Sequence, residues 1–457
     1  MPPRPPASDN LFLSLPLPTL FVRNALPIIA IMMMNGLMTV IDAVFVGAFL
    51  GADALAAVTL MFPLFMLMVA LASVVGSGSA SVLARQLGAN HRESARAAFT
   101  NSHLLALLMA LLLIAVFALT GQAIADWTAN GRDHLAAMGW IYIAILVAGS
   151  PLQFVLSLNA DALRSEGHAG MMAIVGALVT VLNIAFTYWL VAHTNMGVAG
   201  SAFGTVLAQV VAFGAVVAFR RQRNTVLRLQ RPTRVAWHEH TKPVLALGIP
   251  AGLNFVGVAL AAAVTIHALR LWQTDHYAVT AAAFGVVTRI QAFAFLPLLG
   301  LSMATQAIVG NNVGGGAWPR ALACLRVGSM LALGYGVLVQ TALLLARRPI
   351  GALFVDDPAV IDEVARILPL VFALYFAAGP TMILGGFFQA IGDAGKAAIL
   401  GLARVYLFVV PLTYLLPLAL GETGIWLATP VGGAATIALA AALGFSWWRT
   451  FPQQAAI

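Results

Sequence analysis

Charge is scarce in this sequence. Asp, Glu, Lys and Arg make up 9% of the 457 residues, against about 25% in soluble domains. That leaves too little polar surface to hold a 61% hydrophobic chain in water. Cysteine is nearly absent as well: with Cys324 alone, an intramolecular disulfide and a cysteine-built metal cluster are excluded. Met1 to Asn10 is proline-rich and lacks an apolar run behind a basic one, so no cleaved signal peptide is expected. No acid dyad, His-x-x-x-His helix, Ser-Lys arrangement or sizeable extramembrane domain is present. These absences argue against an enzyme and leave no cofactor or resident metal to expect.

Long apolar runs are what the sequence does have. A helix needs roughly 20 apolar residues to cross a bilayer, and twelve such stretches occur, at about 22–48, 54–82, 98–120, 136–159, 169–192, 197–219, 243–270, 278–310, 323–346, 367–391, 397–420 and 424–447. The fold class is therefore an all-α polytopic membrane protein. Pro27, Pro63, Pro250, Pro297, Pro380 and Pro411 fall inside these stretches and predict kinks, because proline removes a backbone donor and clashes one turn back. The net charge of +8 does not point to nucleic acid, since the basic residues sit in short segments between apolar runs. With the N-terminus inside, the inner segments hold Arg4, Arg23, Arg85, Arg92, Arg96, Arg164, Arg320, Arg326, Lys396, Arg404 and Arg449, and the run Arg220, Arg221, Arg223, Arg228, Arg231, Arg234 and Lys242. The outer loops hold Arg132, Arg270, Arg347, Arg348 and Arg366, mixed with acids such as Asp126, Asp275 and Glu363. The positive-inside rule then places both termini in the cytoplasm.

The halves resemble each other. Pro27, Gly76-Ser-Gly-Ser-Ala80, Gly88-Ala-Asn90 and Arg96 recur in order as Pro250, Gly300-Leu-Ser-Met-Ala304, Gly314-Gly-Gly316 and Arg320. Six helices per half is an even number, so the repeats have parallel topology about an axis along the membrane normal, a transporter plan with two bundles around a cavity. The expected organisation is a cytoplasmic segment 1–21, an N-lobe 22–219, a basic linker 220–242, a C-lobe 243–447 and a cytoplasmic tail 448–457. The linker, including His238, Glu239 and His240, reads as a solvated segment close to anionic lipid.

Ionisable groups at membrane depth are costly and need a reason. Asp42 is the sharpest case. Asn35, Met38 and Asp42 share one helical face, with Met34 one turn below Met38, so a protonatable group lies beside an adaptable thioether surface. Asn183 and Thr187 form an i, i+4 pair on one face. Asn159 reads as structural, and the lone histidines His103 and His267 read as packing residues. The second half has no acid at depth. It carries Asn254, Arg289, Gln291, Gln389 and Arg404; Arg289 is expected to hold an anionic partner or carbonyls, and Arg404 to snorkel to the inner interface.

Taken together, the residues resemble the multidrug and toxic compound extrusion (MATE) transporters. Pro27 through Asp42-Ala-Val-Phe-Val-Gly47 and Gly51-Ala-Asp-Ala-Leu-Ala56 resemble the family's opening pattern, and Gly76-Ser-Gly-Ser-Ala80 with Gly88-Ala89 its second landmark. Leu163-Arg-Ser-Glu-Gly167 leading to Asn183 resembles the helix 4–5 segment, and Arg404 with Leu407-Phe408 and Pro411-Leu412 the helix 11 pattern of the MepA-like branch. The resemblance implies alternating-access export of small amphipathic or cationic organic compounds from a bacterial plasma membrane, driven by H⁺ or Na⁺, with no obligate protein partner. It implies coupling at Asp42 and Asn183 and a hinge at Pro27; Thr187 is expected to share the coupling site, and the polar and thioether residues Met34, Asn35, Met38, Asn254, Arg289 and Gln291 are expected to contact substrate. Protonation of Asp42 would release contacts with neighbours such as Asn183 and shift the first helix. Where family members commonly carry an Asp four residues after the asparagine, this chain has Thr187. That departure, and the lack of acids in helices 7 and 10, favours protons over sodium. A flippase for lipid-linked precursors is the competing reading, kept open by Arg289 and Arg404.

Overall fold

The computed structural model describes residues 10–129, 131–223, 225–230, 237–272 and 276–454. The start of the expected N-terminal segment with Arg4, the linker residues Arg231 and Arg234, Asp275, the side chains of His238 and Glu239, and the last residues of the tail lie outside it. Every regular element among the described residues is a helix. Ten helices are long and apolar enough to cross a membrane, and two bent pairs bring the number to twelve.

The chain divides into two compact units. Unit 1 comprises Met1–Phe255 with Gly310–Gly316, and unit 2 comprises Val256–Val309 with Ala317–Ile457. Unit 1 begins with α1 (Leu11–Ser14), α2 (Leu17–Leu60), α3 (Phe62–Gly88) and α4 (Arg92–Ala129). It continues with α5 (Asp133–Ala148), α6 (Ser150–Ser165), α7 (Ala169–His193), α8 (Val198–Gln222) and the first half of α9 (Trp237–Trp272). None of the six prolines expected to kink a span lies at the two sharpest breaks. Pro27 sits inside α2, whose one non-helical residue is Gly51 at φ 85°, and Pro63 starts α3. A β-carbon is strongly disfavoured in that mirror-image region, which is why the break falls on a glycine. The two large bends are instead 51° between α5 and α6, at Gly149, and 50° between α13 (Pro358–Val371) and α14 (Tyr375–Ile391).

Two helix crossings in unit 1 run backbone on backbone. A β-carbon at Gly78 would lie 2.1 Å from the Val244 carbonyl oxygen, and one at Gly248 would lie 1.8 Å from that of Val74. Below them, α3 meets the end of α10 (Tyr277–Gly314): a β-carbon at Gly88 would lie 2.0 Å from Asn311 O, and one at Gly314 would lie 2.0 Å from Arg85 O. The second crossing is reciprocal. Gly88 and Gly314 are equivalent landmarks of the repeat, and each faces the carbonyl three residues before the other. Small residues permit such approach where lipid supplies no hydrophobic drive between helices. Asn10 seals the same end, its amide donating to Asn311 Oδ1 at 2.9 Å, while the Asn311 amide donates to Ser165 O at 3.2 Å.

The linker departs from the solvated reading. Thr225 and Leu227 are buried, because the backbone from Val226 to Gln230 is strapped to unit 1. Arg96 Nε donates to Val226 O at 2.9 Å, Leu227 N donates to Glu166 Oε1 at 3.0 Å, and Gln230 N donates to Thr100 Oγ1 at 2.9 Å. Arg220 organises the anchor, pairing with Glu166 at 3.0 Å, donating to Asn159 Oδ1 at 2.9 Å and lying over the Phe99 ring. Asn159 also bonds His103, whose other ring nitrogen bonds Phe99 O. His103 is thus part of a polar network rather than a packing residue, and Asn159 is structural as expected.

Unit 2 holds the rest of α9, α10 up to Val309, α11 (Trp318–Leu345), α12 (Arg347–Ala352), α13, α14 and α15 (Ala394–Leu402). A π-helical segment over Ala403–Val409 follows, then α16 (Val410–Leu415), α17 (Pro417–Leu420) and α18 (Glu422–Gln454). Its core is aromatic, with Phe372, Tyr375, Phe387, Phe388, Trp426 and Trp447 buried. At one end Arg366 bridges Glu363 and Glu422, and Glu422 also accepts from the Trp426 indole at 2.7 Å.

Candidate functional site

In unit 1 the site is built by the parallel packing of α2 and α7. Ile31 lies against Gly176, and Thr180 Oγ1 donates to Asn35 Oδ1 at 3.4 Å. Further along, the Tyr188 ring lies 6.3 Å from that of Phe45 and 5.8 Å from that of Phe49. Residue 31 beside 176 and 35 beside 180 set a register that puts Asp42 beside Thr187, with Asn183 one turn before it. Asn183 and Thr187 meet α8, at Thr205 and Gly204 respectively, while Asp42 lies at about their level on α2.

Asp42 Oδ1, Asn183 Oδ1 and Thr187 Oγ1 are each buried without a hydrogen-bond partner among the described residues. Buried polar atoms are normally satisfied, so a carboxylate oxygen left over inside a span calls for a partner that is not protein. Asp42 makes no hydrogen bond to Asn183. The Asn183 amide donates instead to Thr205 Oγ1 on α8, at 2.7 Å, which corrects the expectation of a direct Asp42–Asn183 contact. The asparagine is held from behind by α8, and its carbonyl oxygen is left over.

Thr205, Tyr142 and the aromatic trio were not singled out from sequence. Tyr142 on α5 packs against the cluster containing Val46, one turn past Asp42, and lies within electrostatic reach of that carboxylate. Phe45 and Phe49 follow Asp42 at i+3 and i+7, a spacing that could have placed them on its face. Tyr188 and Phe49 are both exposed, so an apolar, π-rich surface adjoins the acid.

The other predicted substrate residues scatter. Met34 and Met38 are half-buried and Asn35 is exposed, all on α2. Asn254 in unit 1 and Arg289 in unit 2 are exposed and make no hydrogen bond or ion pair among the described residues. Gln291 lines a cavity in unit 2 together with Tyr375, Thr381, Arg404, Thr429 and Thr436. Arg404 faces this cavity. Its span starts at Ala394, which puts it ten residues in, about 15 Å at 1.5 Å per residue. The π-helical segment, a form common at functional sites, presents Arg404 to this cavity.

The MatE family model matches residues 27–189 and 255–415, most of the chain. The chain belongs to the MatE family. It is a transporter, not an enzyme, and the two matched stretches follow the two halves of the repeat. Among its relatives is the "Probable multidrug resistance protein YoeA" of Bacillus subtilis, 24% identical over 92% of this chain and 93% of that protein. Another is the "Multidrug export protein MepA" of Staphylococcus aureus, 22% identical over 86% and 87%. The crystal structure of a MATE protein in its bent conformation superposes with a TM-score of 0.90 at 22% identity, covering 99% of this chain and all of the other.

Proposed function

We propose that this transporter exports amphipathic organic cations across a bacterial plasma membrane, both termini cytoplasmic, in exchange for protons bound one at a time at Asp42. The observation that carries this reading is the orphaned Asp42 carboxylate oxygen on a membrane-spanning helix. A charged carboxylate there must be neutralised, by a proton or by a cationic ligand. Mutual exclusion of the two is what antiport requires: protonation removes the counter-charge and expels the cation, and deprotonation to the cytoplasm restores it. With Thr187 where a second acid would stand, the site carries one negative charge and suits monocations. The half-buried Met34 and Met38 and the exposed Phe49 and Tyr188 supply the adaptable apolar contact. The relatives' names as multidrug resistance and export proteins support the substrate class.

A second reading has an observation of its own. Asp42 Oδ1, Asn183 Oδ1 and Thr187 Oγ1 are all unpartnered oxygens, a donor set that a hard monovalent cation such as Na⁺ would accept. One experiment separates them: proteoliposomes holding wild type or Asp42→Asn, with internal pH and uptake of a fluorescent cation followed with and without Na⁺. Proton movement coupled to drug, lost in Asp42→Asn and indifferent to Na⁺, is the expected result. Full coupling in Asp42→Asn would refute the proposal, and an absolute Na⁺ requirement would establish the second reading.

A further inference from the structure

The cavity of unit 2 has a chemistry opposite to that of the Asp42 site. Arg404 faces it from the π-helical segment, half-buried and with no hydrogen bond or ion pair among the described residues. Five acids of unit 2 are committed elsewhere: Glu363 and Glu422 to Arg366, Asp362 to Arg348, Asp393 to Lys396, and Asp357 to the N-terminus of α13. No carboxylate lines the cavity. A guanidinium inside a span without a counter-charge is costly, and a purely structural cation would be expected to have been given an acid.

The remaining polar groups sort into donors already spent and donors still free. Thr436 donates to Gly432 O, Thr381 to Ala378 O, and Tyr375 to Ala294 O. The Gln291 amide and the Thr429 hydroxyl make no hydrogen bond among the described residues, and both line the cavity with Arg404. Three unpartnered donor groups, one of them charged and forked, with no competing anion, make a receptor for a planar oxyanion.

We propose that this cavity is an anion-receiving subsite that takes a carboxylate borne by an amphipathic compound, paired bidentately by Arg404 and completed by Gln291 and Thr429. It rests on the reading of the chain as an exporter of organic compounds, and it extends the ligands from cations to zwitterions and aryl carboxylates. The cavity is small, about 20 Å³, so it seats the carboxylate group and the apolar body of such a ligand extends out past Leu374 and Ile437 on its wall.

The test is equilibrium binding to the purified full-length protein in detergent, using 2-naphthoate and its neutral isostere 2-naphthamide, in chloride-free buffer and again with chloride added. Wild type should prefer naphthoate by roughly ten- to hundredfold, the discrimination typical of a desolvated charge-assisted hydrogen-bonded pair. Arg404→Gln should abolish that preference, and Arg404→Lys should keep part of it. Gln291→Glu, which places an acid in the same cavity, should abolish it as well, giving a second route if Arg404→Gln does not fold. Asp42→Asn should leave it unchanged, so failure of the proton-coupling scheme would not be mistaken for failure here. Equal affinity for the two ligands in wild type would overturn the proposal. So would a naphthoate preference that survives both Arg404→Gln and Gln291→Glu. Chloride binding that needs Arg404 while naphthoate shows no preference would assign the site to an inorganic anion and overturn the carboxylate reading.

Discussion

A single methyl group at the α3–α10 crossing tests whether that contact is a closed gate. Gly88→Ala sets its β-carbon 2.0 Å from Asn311 O, and Gly314→Ala sets its own 2.0 Å from Arg85 O. Real β-carbons essentially never approach closer than 3.0 Å, and the obstruction is backbone, so the two helices must part by about an ångström or more. Overpacking of this kind costs about 1–3 kcal/mol. The cost falls only on the state in which the helices touch. The balance between open and closed forms should therefore move by roughly five- to hundredfold, at 1.4 kcal/mol per tenfold. Ser81 reports it: fully buried, two turns before Gly88 on the same face. In a Cys324→Ser background, Ser81→Cys should be alkylated that much faster in either alanine variant, while a thiol at Ala208, buried on α8, should react at its original rate. An unchanged rate at position 81, with the variants folded, would refute the gate. Equal acceleration at position 208 would do the same by showing general loosening.

Two further outcomes follow from the hydrogen-bond pattern. Thr205→Val removes the acceptor of the buried Asn183 amide and should cost about 1–3 kcal/mol, read as a lowered thermal midpoint; a midpoint equal to wild type would mean the amide finds another partner. Arg220→Met cuts the anchor to Glu166 and Asn159 and leaves a nearly buried carboxylate unpaired, so limited proteolysis should cut the segment Thr225–Gln230 at least tenfold faster, an increase absent if the strap is held mainly by Arg96 and Thr100.

The parts of this molecule that composition dictates were legible. Twelve apolar runs separated by charge become twelve spans because a bilayer of fixed thickness demands that length. Asp42 stood out because a carboxylate at depth needs a reason, and the structure leaves it without a partner. What stayed hidden depends on contacts between distant residues. Nothing near Asn183 announces that Thr205, on the next helix, claims its amide. The burial of Leu227 is invisible inside a basic run, because its carboxylate partner, Glu166, lies 61 positions away. Nothing near Arg404 in sequence announces that Gln291 and Thr429, 113 positions before it and 25 after it, line a cavity with it. The six prolines in the apolar runs predict bends, yet the two large breaks fall at Gly149, two residues before Pro151, and at residues 372–374. The two breaks sit at nearly equivalent places in the two halves of the repeat.

The reciprocal crossing also bears on how the protein is made. Gly310–Gly316 belongs to unit 1, although the rest of that unit ends at Phe255. At about 5–20 residues added per second, the ribosome needs about 3–12 s more before Gly314 exists to meet Arg85. Asn10 waits longest of all, holding an amide whose partner, Asn311, is 301 positions downstream. Through that interval Gly88 on α3 lacks the backbone that covers it in the finished protein, whereas Gly78, ten residues earlier, has Val244 against it from the first half.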